Sequence, residues 1–265
     1  MKTIIALLIF LPVQLLAQNF EGTIVWAVKL DEATKAKMEQ ANKELSNPAN
    51  QEKLKQLEEQ MNTPEFKAMM DKNPQLKTQM ENAKKALGAG NISALIPQGT
   101  TIKIKGSNSL VTTQGGTFGT EILTVGAKKQ SYRIDRDNKT YTPLSVSDTI
   151  SKPKGKYTVT KTSETKKILD YNCTKYDVTY VDESGKSVTQ HVWSTTEIKG
   201  LDMRSIARQA SKGNSSFYVE GIDGFPLEIE FISGQGNFGM QVTSLKRENL
   251  PASTFEIPAG FTEKR

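Results

Sequence analysis

Two side chains in the sequence are candidates for nucleophilic chemistry. Cys173 is the only cysteine and His191 the only histidine of the chain. A cysteine nucleophile needs a base beside it and a third group that orients the base. The two residues flank a turn predicted at Asp182–Gly185, so they could be cross-strand neighbours. A free cysteine is, however, more often a small core residue, and a lone histidine on a strand is usually structural. We therefore predict no catalytic residue and no enzymatic activity, with a Cys173–His191 pair as the alternative.

No metal site and no cofactor are predicted. A single histidine and a single cysteine exclude most transition-metal sites, which combine several such ligands. Glu228 and Glu230 alternate with apolar residues, a pattern that places both carboxylates on the solvent face of a strand. A glycosidase would need two carboxylates that converge across a cleft. The pair is therefore interpreted as surface charge that blunts a sheet edge.

Residues 234–239 match the pattern G-x-G-x-x-G of dinucleotide-binding proteins letter for letter. That pattern binds a pyrophosphate only when a helix begins directly after the glycines. Here Met240–Thr243 alternate as a strand, and glycine is the residue that a tight hairpin needs. We interpret the match as a hairpin turn without a nucleotide.

Strands account for most of the chain. Apolar residues alternate with polar ones between Phe20 and Leu30, and again between Phe225 and Phe231, as in strands with one buried face. From about residue 100 onwards, such segments are separated by turns rich in Gly, Asn and Asp, which is typical of a large antiparallel meander.

A helical insertion at 31–88 interrupts this pattern. Asn47, Thr63 and Asn73 are capping residues, each followed by proline at the first helical position, and Gly88 is a C-terminal stop. Four helices are predicted near 32–46, 48–61, 64–72 and 74–87, and another near 201–211. The insertion carries five methionines, which suit either ordinary packing or an adaptable apolar surface; they are Met38, Met61, Met69, Met70 and Met80.

These elements predict a mainly β protein of the α+β type, with 18–265 as a single domain. The expected architecture is a strongly curved antiparallel sheet or incomplete β-barrel. The amphipathic helices of the insertion are expected to cover its concave face, because their apolar stripes must pack on something.

The N-terminus predicts export. Residues 1–17 combine Lys2 with a short apolar run and end at a small residue, as a secretory signal peptide does, and cleavage is predicted between Ala17 and Gln18. Gln18 stands where a lipidated protein would have its acylated cysteine, so no lipid anchor is expected. The apolar run is too short to span a bilayer. The expected location is the periplasm or the medium, and an integral membrane protein is not expected.

The charge gives little indication of a partner. The chain has 35 Lys and Arg against 29 Asp and Glu, a formal net charge of +6. The excess is interspersed, whereas nucleic-acid binding would need a basic stripe with aromatic partners. We predict no nucleic-acid partner.

Four short sequence segments together resemble a domain-of-unknown-function family of exported Bacteroidetes proteins. The segments are Tyr171–Tyr176, Val192–Trp193, Gly224–Leu227 and Phe255–Phe261. The fold of that family is related to the LolA/LolB lipoprotein carriers. The resemblance implies an open antiparallel barrel with helices over an apolar cavity that receives acyl chains.

The expected function is therefore non-enzymatic binding of an apolar ligand, such as a lipid or lipoprotein acyl chain, between sheet and helices. The alternating residues expected to line that site are Ile24, Trp26, Val28, Leu227, Ile229 and Phe231. The alternative is a structural or protein-interaction module with a filled barrel, whose helices dock another envelope protein. A lined pocket and a packed core share one alternation pattern, so the sequence leaves both open.

Overall fold

The computed structural model describes residues 19–71, 77, 80, 81, 83, 84, 87, 88, 90–116, 119–144, 157–181, 185, 187–201, 219–232 and 237–264. The predicted signal peptide and its cleavage site at Ala17 and Gln18 lie outside these residues. So do residues 234–236 of the glycine-rich turn and, apart from Leu201, the helix predicted at 201–211.

Twelve strands form one sheet, in the order β12-β6-β5-β4-β3-β2-β1-β11-β10-β9-β8-β7. Neighbours are antiparallel except β12 and β6, which run parallel. The predicted large antiparallel sheet is confirmed; it is open, and in the described residues it does not close into a barrel. The strands β1 to β12 are Glu21–Leu30, Pro97–Lys105, Asn108–Gly115, Glu121–Val125, Gln130–Asp135, Thr140–Leu144, Tyr157–Ile168, Tyr171–Val181, Ser187–Thr195, Phe225–Ile232, Phe238–Arg247 and Thr262–Glu263.

The first strand lies in the middle of the sheet, between β2 and β11. Its predicted alternation is confirmed, because Ile24 and Trp26 are buried between less buried neighbours. Gly22 allows β11 to pass closely, since a β-carbon at this position would collide with the Lys246 carbonyl oxygen.

One face of the sheet carries the main hydrophobic core, and we call it the core face. Its fully buried side chains include Ile24, Trp26, Leu227, Ile229 and Val242. The segment between β9 and β10 also contributes to this core; its contributing residues are Ile198, Leu201, Val219 and Ile222. Part of the cover of the core face therefore comes from residues 198–201 and 219–222.

The opposite, outer face carries a second core over β3 to β6. Leu123 and Ile134 pack there against Leu250 and Phe255 of the C-terminal segment. The segment ends beside β6, where the Lys264 N–H donates to the Tyr141 carbonyl oxygen at 2.8 Å.

Three helices follow β1: α1 (Glu32–Leu45), α2 (Pro48–Met61) and α3 (Pro64–Asp71). Their predicted bounds are confirmed to within a residue, because the caps are made as expected. The Asn47 carboxamide oxygen accepts from the Ala49 N–H at 3.1 Å, and the Thr63 hydroxyl oxygen accepts from the Phe66 N–H at 3.4 Å. The fourth predicted helix lies only partly in the described residues, of which 77, 80, 81, 83, 84, 87 and 88 are helical.

The predicted helical cover over the core face is not confirmed. None of the described residues between 31 and 71 belongs to the main core, and of the described side chains of α1 to α3, Met70 is the buried one. The helices instead connect to the sheet through polar contacts: Asp31 Oδ2 accepts from the Asn237 N–H at 2.7 Å. The physical reason is that α1 is rich in Lys, Glu and Gln and buries no residue.

In the described part of the chain, no helix is both long and apolar enough to cross a membrane.

Candidate ligand-binding face

The six residues predicted to line a ligand site all lie on the core face. Ile24, Trp26, Leu227 and Ile229 are nearly inaccessible to solvent and pack in the main core. Val28 and Phe231 are half-buried. The register of the sheet brings Val28 opposite Met240, and Met240 opposite Ile229, so the two separate sequence segments form one surface. That a ligand contacts these residues stays a prediction.

The core face ends in an apolar surface that is not fully covered. Leu30 lies opposite Phe238, and Phe238 lies opposite Phe231. The rings of Phe231 and Phe238 stack with centroids 4.8 Å apart, and 49% of Phe238 is exposed. We call this surface the aromatic end; it consists of Val28, Leu30, Phe231, Phe238 and Met240.

Two members of this surface, Phe238 and Met240, are identifiable from the sequence only as alternating residues of a strand. Their alternation after the glycine-rich turn was visible, but their pairing with β1 and β10 depends on the strand order. Sequence reasoning found Phe231 and Val28 because both continue the clean alternation of their own strands.

Cys173 and His191 are not cross-strand neighbours. The register pairs His191 with Asp177, and His191 Nδ1 lies 2.7 Å from Asp177 Oδ1. Cys173 pairs with Lys166 on the other side of β8. Burial is the largest influence on the thiol and raises the pKa of Cys173 to about 11, so little nucleophilic thiolate forms at neutral pH.

A cluster of charges lies on the outer face opposite the main core. Glu228 is completely buried, which contradicts its predicted place in solvent. Lys29 Nζ donates to Glu228 Oε1 at 2.7 Å, and Lys166 Nζ lies 2.6 Å from Glu228 Oε2. The second contact is an ion pair rather than an aligned hydrogen bond. Lys166 also lies over the ring of Trp193, 4.1 Å from its centroid.

The aliphatic parts of Lys29 and Lys166 and the ring of Trp193 therefore shield Glu228 from solvent. Alternation along one strand does not reveal this cover. The same face carries Glu230, Lys175, Asp177 and His191, within an extended set of polar contacts. In the described residues no three His, Cys, Asp or Glu side chains converge in a way that could hold a metal ion.

The two glutamates of this cluster titrate in opposite directions. Burial raises the pKa of Glu228, but its favourable polar contacts with Glu230, Lys166 and Lys29 together outweigh burial, and the net pKa is lowered. Burial also raises the pKa of Glu230, and here the adjacent Glu228 carboxylate adds to the rise.

Compared with wild type, Glu230→Gln is expected to be more stable at neutral pH than it is at acidic pH, so that the stability difference between the two proteins changes with pH. A raised pKa means that the folded state keeps a proton that the unfolded chain releases above about pH 4.5, so Glu230 lowers stability as pH rises through its folded pKa. Glutamine mimics the protonated form. Urea unfolding of variant and wild type between about pH 4 and pH 7 measures this difference. A pH-independent difference would contradict the raised pKa.

An apolar concavity, separate from the aromatic end, lies within the helical insertion. It has a volume of about 250 Å³ and is lined by apolar side chains of Met61, Phe66, Met70 and Met80, with lysines and acidic residues around them. Three of the five methionines of the insertion therefore line this concavity, namely Met61, Met70 and Met80, whereas Met69 is half-exposed.

The strand order and the two faces place the chain among mostly β proteins that are built on one large open antiparallel sheet. The chain belongs to the family described as Domain of unknown function (DUF4412), whose model matches residues 100–261, more than half of the chain. The predicted membership of a domain-of-unknown-function family is confirmed.

The chain is similar to two solved structures. One is LprF from Mycobacterium bovis, with 12% identity, 60% of this chain and 84% of that chain covered, and a TM-score of 0.28. The other is the LolA superfamily protein NE2245 from Nitrosomonas europaea, with 15% identity, 60% and 80% covered, and a TM-score of 0.25. No curated protein matches the sequence.

Proposed function

We propose that the protein is a non-enzymatic binding protein for an apolar ligand, such as a lipid acyl chain, which lies on the core face at the aromatic end. The observation that carries the proposal is the stacked Phe231–Phe238 pair, half in solvent, at the margin of the main core. Large apolar surfaces that stay uncovered commonly mark binding sites. Val28, Leu30 and Met240 extend this surface along three strands.

In the described part of the chain, neither candidate residue for nucleophilic chemistry is activated, which favours binding over catalysis. Cys173 has a raised pKa and no imidazole beside it, while His191 is engaged with Asp177. With the signal peptide predicted at 1–17, the proposed location is the periplasm or the medium. There, an acyl chain in transit between membranes would need a protein surface to shield it from water.

A fluorescence titration tests the proposal. The purified protein is titrated with dansyl-labelled undecanoic acid, and palmitate is then added as competitor. The proposal expects a saturable rise in dansyl emission that palmitate reverses, because both acyl chains occupy the same apolar surface. Emission that rises without saturation, or that palmitate does not reverse, would overturn it.

A second candidate is protein interaction through the helical insertion. It is favoured by the position of α1 to α3, which lie outside the main core and expose most of their surface. Under this alternative the aromatic end would bind no acyl chain in the titration, and a variant lacking residues 31–88 would lose its envelope partner while its sheet stays folded.

A further inference from the structure

Arg133 lies on the core face, where its two cross-strand neighbours, Ile122 and Thr142, are not charged. The sheet register places it in one row with Ile122, Val111 and Ile102, which leads across β4, β3 and β2 to Ile24 of the main core. On its other side it lies opposite Thr142 of β6.

The guanidinium of Arg133 has no partner in the described structure. Its Nε is buried and makes no hydrogen bond, and no ion pair or ring contact involves the residue. Asp135, two positions along the same strand, uses its carboxylate to accept from the Asn138 backbone N–H at 3.0 Å and side-chain amide at 2.8 Å. A buried donor without a partner is costly, and arginine is suited to bind phosphate or carboxylate oxygens in pairs.

Two other cations on the described core face, Lys161 and Arg247, are engaged; Lys167, which the register also places there, is exposed on the edge strand β7. Lys161 lies 3.4 Å from Asp223 and over the ring of Tyr176. Arg247 lies over the ring of Phe20 and donates to the Lys199 carbonyl oxygen. Arg133 therefore differs from them in having its charge available to a ligand.

Small hydroxyl side chains surround this end of the core face. Thr124 and Ser131 share a buried hydrogen bond of 2.8 Å, and the buried Ser109 Oγ has no hydrogen-bond partner in the structure. The row next to Arg133 is thus polar, whereas the opposite end of the same face is aromatic.

The two ends are connected by half-buried surface. From Arg133 to Val28 the face extends four strand spacings across and four residues along β1, a separation of at most about 23 Å. Thr113 and Thr100 lie between them, and both are half-buried. This span matches an extended amphiphile with a polar head at β5 and an acyl tail that reaches Val28 on β1, the nearest member of the aromatic end.

We infer that Arg133 binds the anionic headgroup, through its phosphate or carboxylate oxygens, of an amphiphile whose acyl chain reaches the aromatic end. The inference rests on the proposed function and adds to it the class of ligand. The guanidinium and nearby hydroxyls donate to the headgroup oxygens, while the apolar residues bind the tail.

Paired lipids test the inference. Palmitoyl lysophosphatidylglycerol has an anionic phosphate, monopalmitoylglycerol has the same tail and no charge, and each is titrated below its critical aggregation concentration. Wild type is expected to bind the anionic lipid about 10- to 100-fold more tightly, the range of a lost charged hydrogen bond. Arg133→Met should remove this preference and leave monopalmitoylglycerol binding unchanged. Arg136→Gln is the matched control, because Arg136 is exposed and pairs with Glu121 on the outer face.

Thermal unfolding of the ligand-free variants separates binding from folding. Arg133→Met should unfold at the same temperature as wild type or higher, because it removes a buried donor that has no partner. Equal binding of both lipids by wild type, or a preference that survives in Arg133→Met, would overturn the inference and leave the proposed function intact. Binding of inorganic phosphate as tight as that of the anionic lipid would also overturn it, because Arg133 would then be a site for free anions rather than for a lipid headgroup. Failure of both lipids to bind would refute the proposed function itself.

Discussion

Phe238→Asp is expected to weaken acyl-chain binding by about 100-fold without unfolding the protein. The substitution removes an aromatic surface whose burial contributes about 1.5–3 kcal/mol, and it places a charge where the apolar tail must lie. The fold should tolerate the change because 49% of Phe238 is already exposed and its ring is not part of the main core. The dansyl titration and the palmitate competition measure the change in affinity.

Val181→Asp is the matched control for this prediction. Val181 is 53% exposed and lies at the end of β8, where the alternation of the strand puts it on the outer face. The same change of an exposed apolar residue to aspartate should therefore leave the affinity for the acyl chain unchanged. Wild-type affinity in Phe238→Asp, or equal losses in both variants, would exclude the aromatic end as the binding surface.

The double variant Lys29→Met and Lys166→Met is expected to lower the free energy of unfolding by about 3 kcal/mol or more at neutral pH. Both lysines contact the fully buried Glu228 carboxylate, and their removal leaves that charge without a cation. Breaking a buried ion pair from one side costs about 3–5 kcal/mol. Urea unfolding measures the loss, which should shrink at acidic pH because a protonated Glu228 no longer needs the lysines.

Adding Glu228→Leu to that double variant should recover most of the lost stability. An apolar side chain in the place of the carboxylate leaves no uncompensated charge, and apolar replacement of a whole buried ion pair is often neutral. Lys161→Met is the control, since its pair with Asp223 is exposed and its loss should not shift the urea midpoint. If the double variant is as stable as wild type, the lysines do not hold Glu228 in its charged form.

The strands and helices were predictable where a short local pattern determines them. Alternation from Phe20 to Leu30 predicts β1, and Asn47-Pro48 and Thr63-Pro64 predict the starts of α2 and α3. In each case the physical cause lies within a few residues, either a pleat with one buried face or a cap for free N–H groups.

The candidate site was only partly predictable, because it depends on register between distant strands. Arg133 is an ordinary polar residue in its strand, and its place beside Ile122 on the core face follows only from the pairing of β4 with β5. Glu228 looked solvent-exposed for the same reason, since Lys29 and Lys166 come from strands far apart in the sequence. Alternation identifies the face of a side chain but not what covers that face.

The most direct test of acyl-ligand binding is native mass spectrometry of the protein purified from its own cells without detergent. We expect a population heavier than the bare chain by the mass of one lipid. Collisional activation should release this lipid, and its mass should identify it as an anionic amphiphile. Phe238→Asp, purified in parallel, should carry much less of this species, and Val181→Asp should carry as much as wild type. A wild-type protein that is uniformly free of lipid, and that takes up none when incubated with extracted membrane lipids, would contradict the account.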